Sequence, residues 1–244
     1  MSARVTWATA LRVLQQLRRD PRTLALLFVV PPLLITIFRY VFDAQPQTFD
    51  RVGGPMVGIF PFSTMFVVTS IAMLRERTTG TLERLMTLPL SRLDLLLGYG
   101  IAFASVAAVQ AALTAGVAFG LLGLDVQGSP AAVIALAIAN AVLGMALGLL
   151  VSAFARTEFQ AVQFLPAVVF PQLLLCGLLV PRGHMVALLR WIAYGLPLTW
   201  AYDGLSHAVE GGAGGTVLRD AAIVVGVTVL ALALGATTLR RRTG

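Results

Sequence analysis

Two histidines, one cysteine and no lysine in 244 residues leave this chain few groups for covalent or metal chemistry. His184 and His207 fall in one late segment, without the closely spaced carboxylates or thiols that a metal centre needs, so no metal site is assigned. No catalytic residue is assigned either, because no acid, base and nucleophile share a common depth. Cys176 has no intrachain partner for a disulfide and reads as a small filler in an apolar run. Without lysine there is no G-x-x-x-x-G-K-[ST] loop, so the chain is not expected to be its own ATPase or to carry a cofactor.

The remaining polar candidates are amides. Asn140, Gln110, Gln160, Gln163 and Gln172 lie within long apolar runs, where they can line a path or bridge helices, and bridging is the commoner role. Ionisable groups of the kind that couple ion or proton movement are missing from the middle of those runs, with Arg22, Arg39, Asp94, Arg219 and Asp220 near their ends. A transporter built this way must draw its energy from a partner.

The runs themselves dictate the architecture. With 58% hydrophobic and 12% charged residues, the chain has too little polar surface for water. A helix needs roughly 20 apolar residues to cross about 30 Å of hydrocarbon. Six stretches meet that length, over residues 22–42, 54–74, 94–122, 130–154, 160–180 and 218–239. The expected fold is an all-α membrane protein with a single transmembrane domain.

Charge sets the expected orientation. If the N-terminus is cytoplasmic, six crossings leave 13 of the 18 basic residues inside, with a net +8 there and −1 outside. Both termini are then cytoplasmic in a multi-pass protein of the cell membrane. Arginines scattered between spans suit lipid headgroups, so membrane lipids rather than nucleic acid are the expected partners.

Three segments outside the spans carry further information. Residues 4–19 form an amphipathic helix, with Trp7, Ala10, Val13, Leu14 and Leu17 on one face and Arg4, Arg12, Gln15, Arg18 and Arg19 opposite. Such a helix lies in the membrane plane as an anchor, or offers a docking surface to a cytoplasmic partner. Asp20 and Pro21 end it and start the first span. Pro31 and Pro32 predict a kink in that span. The pairs Gly116 with Gly120 and Gly144 with Gly148 permit close helix approach.

The segment 75–92, RERTTGTLERLMTLPLSR, alternates its charges and gathers Leu82, Leu85 and Met86 into an apolar patch. Gly80 allows a turn, Thr81 can cap, and Leu82 to Leu88 can form a short helix that Pro89 helps to end. It suits either a solvated loop helix or a helix inserted in a partner's groove. Residues 181–210 contain an uncharged run too short to span, with Trp191, Tyr194, Trp200 and Tyr202 suited to the water interface. A half-inserted helical hairpin on the outer face is expected, joined to the last span by a flexible link at Gly211, Gly212, Gly214 and Gly215.

From Arg75 to Gly98 the residues Glu76, Gly80, Thr81, Leu82, Glu83, Leu85, Pro89 and Gly98 resemble the signature of ABC-2 type transport permeases. A second block, Gly177 and Pro181 through Trp191, Pro197, Leu198, Tyr202, Asp203 and Gly204, resembles the same family. Tyr99 stands where the family often has a basic residue. The resemblance implies a non-catalytic permease half that dimerises with itself or a related permease chain and pairs with a separate ATP-binding subunit. ATP and Mg would then be bound by that partner.

By this resemblance Glu76, Arg77, Gly80, Thr81, Leu82, Glu83, Arg84, Leu85 and Met86 form the coupling helix at the ATP-binding subunit. Trp7, Arg18, Arg19, Trp191, Trp200 and Tyr202 are expected at the membrane interface. Spans without charge favour a lipophilic, drug-like cargo, with lipid or polysaccharide export as the alternative within the family. A non-transporting membrane scaffold is the rival from a different class. An ion-coupled carrier would be favoured by internal repeats, and none stands out.

Overall fold

The computed structural model describes residues 3–81 and 92–238. Its helices are α1 (Ala3–Arg18), α2 (Pro21–Val41), α3 (Pro46–Thr78), α4 (Arg92–Gly120), α5 (Pro130–Val151), α6 (Glu158–Phe164), α7 (Phe170–Leu175), α8 (Ala187–Tyr194), α9 (Pro197–Val209) and α10 (Gly214–Thr238). No strand occurs among the described residues. Among the described residues, 6 helices are long and apolar enough to cross a membrane: α2, α3, α4, α5, the α6–α7 pair and α10.

Local sequence explains where these helices begin. Asp20 caps α2, its carboxylate accepting the Thr23 amide and hydroxyl at 3.2 and 2.7 Å, and Pro21 takes the first helical position. Those bonds hold the Asp20 carboxyl below its ordinary value. Because the folded group prefers to stay ionised, its contribution is full at neutral pH and is lost as the pH falls through the carboxylate range. Asp20→Ala should cost about 1 kcal/mol of stability. Asp20→Asn, which keeps an acceptor, should cost much less, as thermal unfolding in detergent would report.

Pro31 and Pro32 lie inside α2, which runs on to Val41, and the Thr36 hydroxyl bonds the Pro32 carbonyl at 2.7 Å. An interruption of the α-helix falls in the fifth span, where Leu165–Val169 makes a π-turn around Pro166 and Pro171 follows. Both prolines lack the N–H that the α-ladder needs, and the ladder slips by one residue there. That span also ends early, at Leu175 rather than 180. Gly177 turns with φ 107°, and Arg182 Nη1 donates to the Cys176 carbonyl at 2.6 Å, so the carbonyl finds its partner outside the helix.

The centre of the bundle is α3 against α5. A Cβ at Gly144 would fall on the Phe62 carbonyl, and one at Gly148 on the Phe66 carbonyl and the Thr69 hydroxyl. The backbones therefore touch, and the Thr69 hydroxyl bonds Met145 O at 3.2 Å across the seam. Gly116 and Gly120 meet nothing within 4 Å, so the second glycine pair makes no such contact in this fold. Phe62, Met65, Phe66, Leu143 and Met145 fill the core around the seam.

The amides divide as bridges and exceptions. Gln110 donates to Thr64, joining α4 to α3, and the Gln172 carbonyl oxygen accepts the Leu198 amide at 3.3 Å, joining α7 to α9. Gln160 instead accepts the Arg156 amide locally, and Gln163 is exposed. Asn140 is fully buried beside Gly58, and both its side-chain polar atoms are without a hydrogen-bond partner among the described residues.

Candidate functional site

The 33 residues of α3 extend about 50 Å, well beyond the roughly 30 Å of a bilayer's hydrocarbon core. Its last turns carry Arg75, Glu76 and Arg77, and each of these neighbours reaches a different helix. Arg75 makes a two-pronged ion pair with Glu158 on α6, at 2.7 and 2.9 Å. Glu76 lies 3.6 Å from Arg12 on α1. Arg77 donates to the Thr238 hydroxyl on α10 at 3.1 Å. The end of this helix is thereby tied to three others.

These contacts position more than they stabilise. The Arg75 and Glu158 side chains are 54% and 53% exposed, and such pairs are worth about 0.2–1 kcal/mol. Arg12 and Glu76 are more enclosed, and Arg12 also donates to the Tyr99 hydroxyl, its guanidinium carbon 5.6 Å from the ring centroid. Tyr99 has no charge of its own. The positive charge at that place is delivered by α1.

Docking of α1 on α4 makes this possible. Thr9, Ala10 and Val13 are buried, and a Cβ at Gly98 would press on Thr9 and the Thr6 carbonyl. Part of the apolar face expected to enter lipid is thus covered by protein, while Trp7 and Leu11 remain exposed along with Arg18 and Arg19. Gly98→Val should push α1 outward, since overpacking typically costs about 1–3 kcal/mol. Limited proteolysis at the arginines of α1 would show it as faster cleavage than in the parent chain.

Beyond Thr79, whose hydroxyl lies 3.0 Å from that of Thr81, Gly80 adopts φ 72° and turns the chain as expected. Leu82, Glu83, Arg84, Leu85 and Met86 lie outside the described residues.

At the opposite end α8 and α9 form a helical pair. Arg182 grips both carboxylate oxygens of Asp203 at 2.8 and 2.7 Å, Trp200 Nε1 donates to the Tyr194 carbonyl at 3.0 Å, and Trp191 is exposed. Burial raises the Asp203 carboxyl above its ordinary value, against the pull of Arg182. Asp203→Ala should destabilise by about 2–4 kcal/mol, because a mostly enclosed guanidinium loses its partner. Arg182→Met with Asp203→Leu should recover part of that loss in thermal unfolding.

His207 sits 2.9 Å from the fully buried Asp220 of α10, which Arg219 also holds at 2.8 Å. The glycine link makes a turn that leads directly into α10. Gly211 has φ 72°, Gln127 donates to the Val209 carbonyl at 2.9 Å, and Gly214 and Gly215 already belong to α10.

Signals for the long-range pairs were absent from local pattern. Arg12 and Tyr99 are 87 positions apart, and Arg75 and Glu158 are 83 apart. The charge alternation around Arg75 and the amphipathic pattern around Arg12 marked one member of each pair.

Comparison with known proteins agrees with this geometry. The ABC-2 type transporter family matches residues 4–209. The chain is 27% identical over 165 residues to ABC transporter G family member 20 of Dictyostelium discoideum, a match that covers 68% of this chain and 23% of that protein. It is 28% identical over 185 residues to the linearmycin resistance permease protein LnrN of Bacillus subtilis (strain 168), covering 73% and 48%. The probable multidrug ABC transporter permease YbhS of Escherichia coli (strain K12) is 28% identical over 132 residues, covering 54% and 35%. The chain thus spans less than half the length of these relatives. Six membrane-crossing helices and a family match across most of its length establish that this multi-pass membrane protein belongs to the ABC-2 type transporter family.

Proposed function

We propose that this chain is the membrane permease part of an ABC exporter, driven by ATP that a separate subunit binds with Mg and hydrolyses. The arginine-rich end faces the cytoplasm with both termini, and a second permease, identical or related, completes the pathway. Arg75, Glu76 and Arg77 are the observation that carries this reading, because the last turns of α3 are tied at once to α6, α1 and α10.

A short helix at 82–88 is then a lever. Closure of the ATP-binding dimer displaces it, and the tied helix ends shift as rigid bodies. The coupling residues Glu76, Arg77, Gly80, Thr81, Leu82, Glu83, Arg84, Leu85 and Met86 meet the ATP-binding subunit, while Trp7, Arg18, Arg19, Trp191, Trp200 and Tyr202 lie at the bilayer surfaces. Cargo is a lipophilic, drug-like molecule. The names of two relatives, a linearmycin resistance permease and a probable multidrug permease, support that class.

The test is affinity purification of this chain from its source membrane in mild detergent. Co-purification of a P-loop ATPase whose hydrolysis rate depends on this chain is expected. Recovery of the folded chain with no nucleotide-hydrolysing companion would overturn the reading.

A further inference from the structure

A cavity of about 410 Å³ opens at the arginine-rich end between α1, α2, α3 and α4. Its size falls within the roughly 300–1,000 Å³ of pockets that take small ligands. Leu17, Leu26, Val67, Val68, Ile71 and Phe103 supply a hydrocarbon wall. Its charged lining residues are Asp20, Arg75 and Glu76.

The charges are unequally engaged. Arg75 makes both its bonds to Glu158, while its charge also reaches Asp20. Glu76 Oε1 faces Arg12 at 3.6 Å, whereas its buried Oε2 has no hydrogen-bond partner among the described residues. Asp20 accepts the Thr23 amide and hydroxyl, one on each oxygen, with a further contribution from the Arg22 amide, and a carboxylate oxygen can accept two bonds. The mouth therefore has spare carboxylate acceptors above an apolar interior. What satisfies it is a cation that donates N–H bonds and carries a hydrocarbon tail.

From this the geometry points to a binding site for an ammonium-headed amphiphile, its nitrogen held by Asp20 and Glu76 and its tail lying along Val67, Val68 and Phe103. The inference deepens the exporter reading by naming a cargo or lipid class. An amine-headed lipid and a soluble lipophilic amine share this chemistry.

The full chain in phosphatidylcholine nanodiscs, without ATP or any partner, would be titrated with radiolabelled dodecylamine. Saturable binding is expected, with dodecyl sulfate a poor competitor. Asp20→Asn and Glu76→Gln should each weaken binding by about tenfold or more, as loss of a charge-assisted bond implies. Val68→Trp should remove binding by filling the tail space, and Asp20→Glu should retain it. Helical content by circular dichroism guards against misfolded variants, and the two sulfate and amine titrations of the parent chain stand whichever variants fold.

Displacement of the amine when phosphatidylethanolamine is added to the nanodisc identifies a resident lipid. Retention identifies a soluble amine, and either result upholds the site. Equal binding of dodecyl sulfate, or unchanged affinity in folded Asp20→Asn and Glu76→Gln, would overturn it. Neither failure would touch ATP dependence, which is read in a separate assay with the partner present.

Discussion

Leucine in place of Gly144 should lower the melting temperature of the purified chain by about 6 °C or more. Its Cβ would overlap the backbone of Phe62, and backbone cannot swing aside as a side chain can. Overpacking of this kind costs about 3 kcal/mol, and each kcal/mol shifts a domain of this size by about 2–4 °C. The same change at Gly116, where nothing lies within 4 Å, should leave the melting temperature almost unmoved. Equal effects at the two positions would mean that α3 and α5 do not meet along this seam.

Alanine at both Glu83 and Leu85 should leave the chain folded and assembled while cutting partner-stimulated ATP hydrolysis and export by about tenfold or more. A charged group and an apolar anchor are removed together from the lever, and anchors of this sort are each worth upwards of about 1–2 kcal/mol at an interface. Arg75, Glu76 and Arg77 remain, so the contacts to α6, α1 and α10 are untouched. Export at the parental rate in a normally assembled complex would remove residues 82–86 from the coupling role.

These two positions also mark how far the residues alone could lead. Long apolar runs revealed six crossings because hydrocarbon thickness fixes their length, and no tertiary knowledge is needed for that. Gly144 and Gly116 head identical four-residue spacings, yet only the first touches a neighbour. Spacing defines a face and does not say what covers it. Prolines show the same limit: Pro31 and Pro32 lie within α2, while Pro166 sits at a slipped turn.

The candidate site was legible on one side only. The alternating charges after Leu74 singled out Glu76 and Arg77, and the amphipathic pattern of residues 4–19 singled out the helix that meets them. That Arg12 meets Tyr99, or that Glu158 receives Arg75, depends on chain segments brought together by folding. The outer network is similar, since Asp220 is buried only because α10 packs beside α9 and His207.

The most direct measurement is cargo movement in proteoliposomes that hold this chain with or without its ATP-binding companion. Uptake of a lipophilic, drug-like cargo into vesicles with the arginine-rich end outward should require both proteins and hydrolysable ATP, and should stop when either is left out. Accumulation against a gradient by this chain alone, with no nucleotide-hydrolysing protein present, would contradict it.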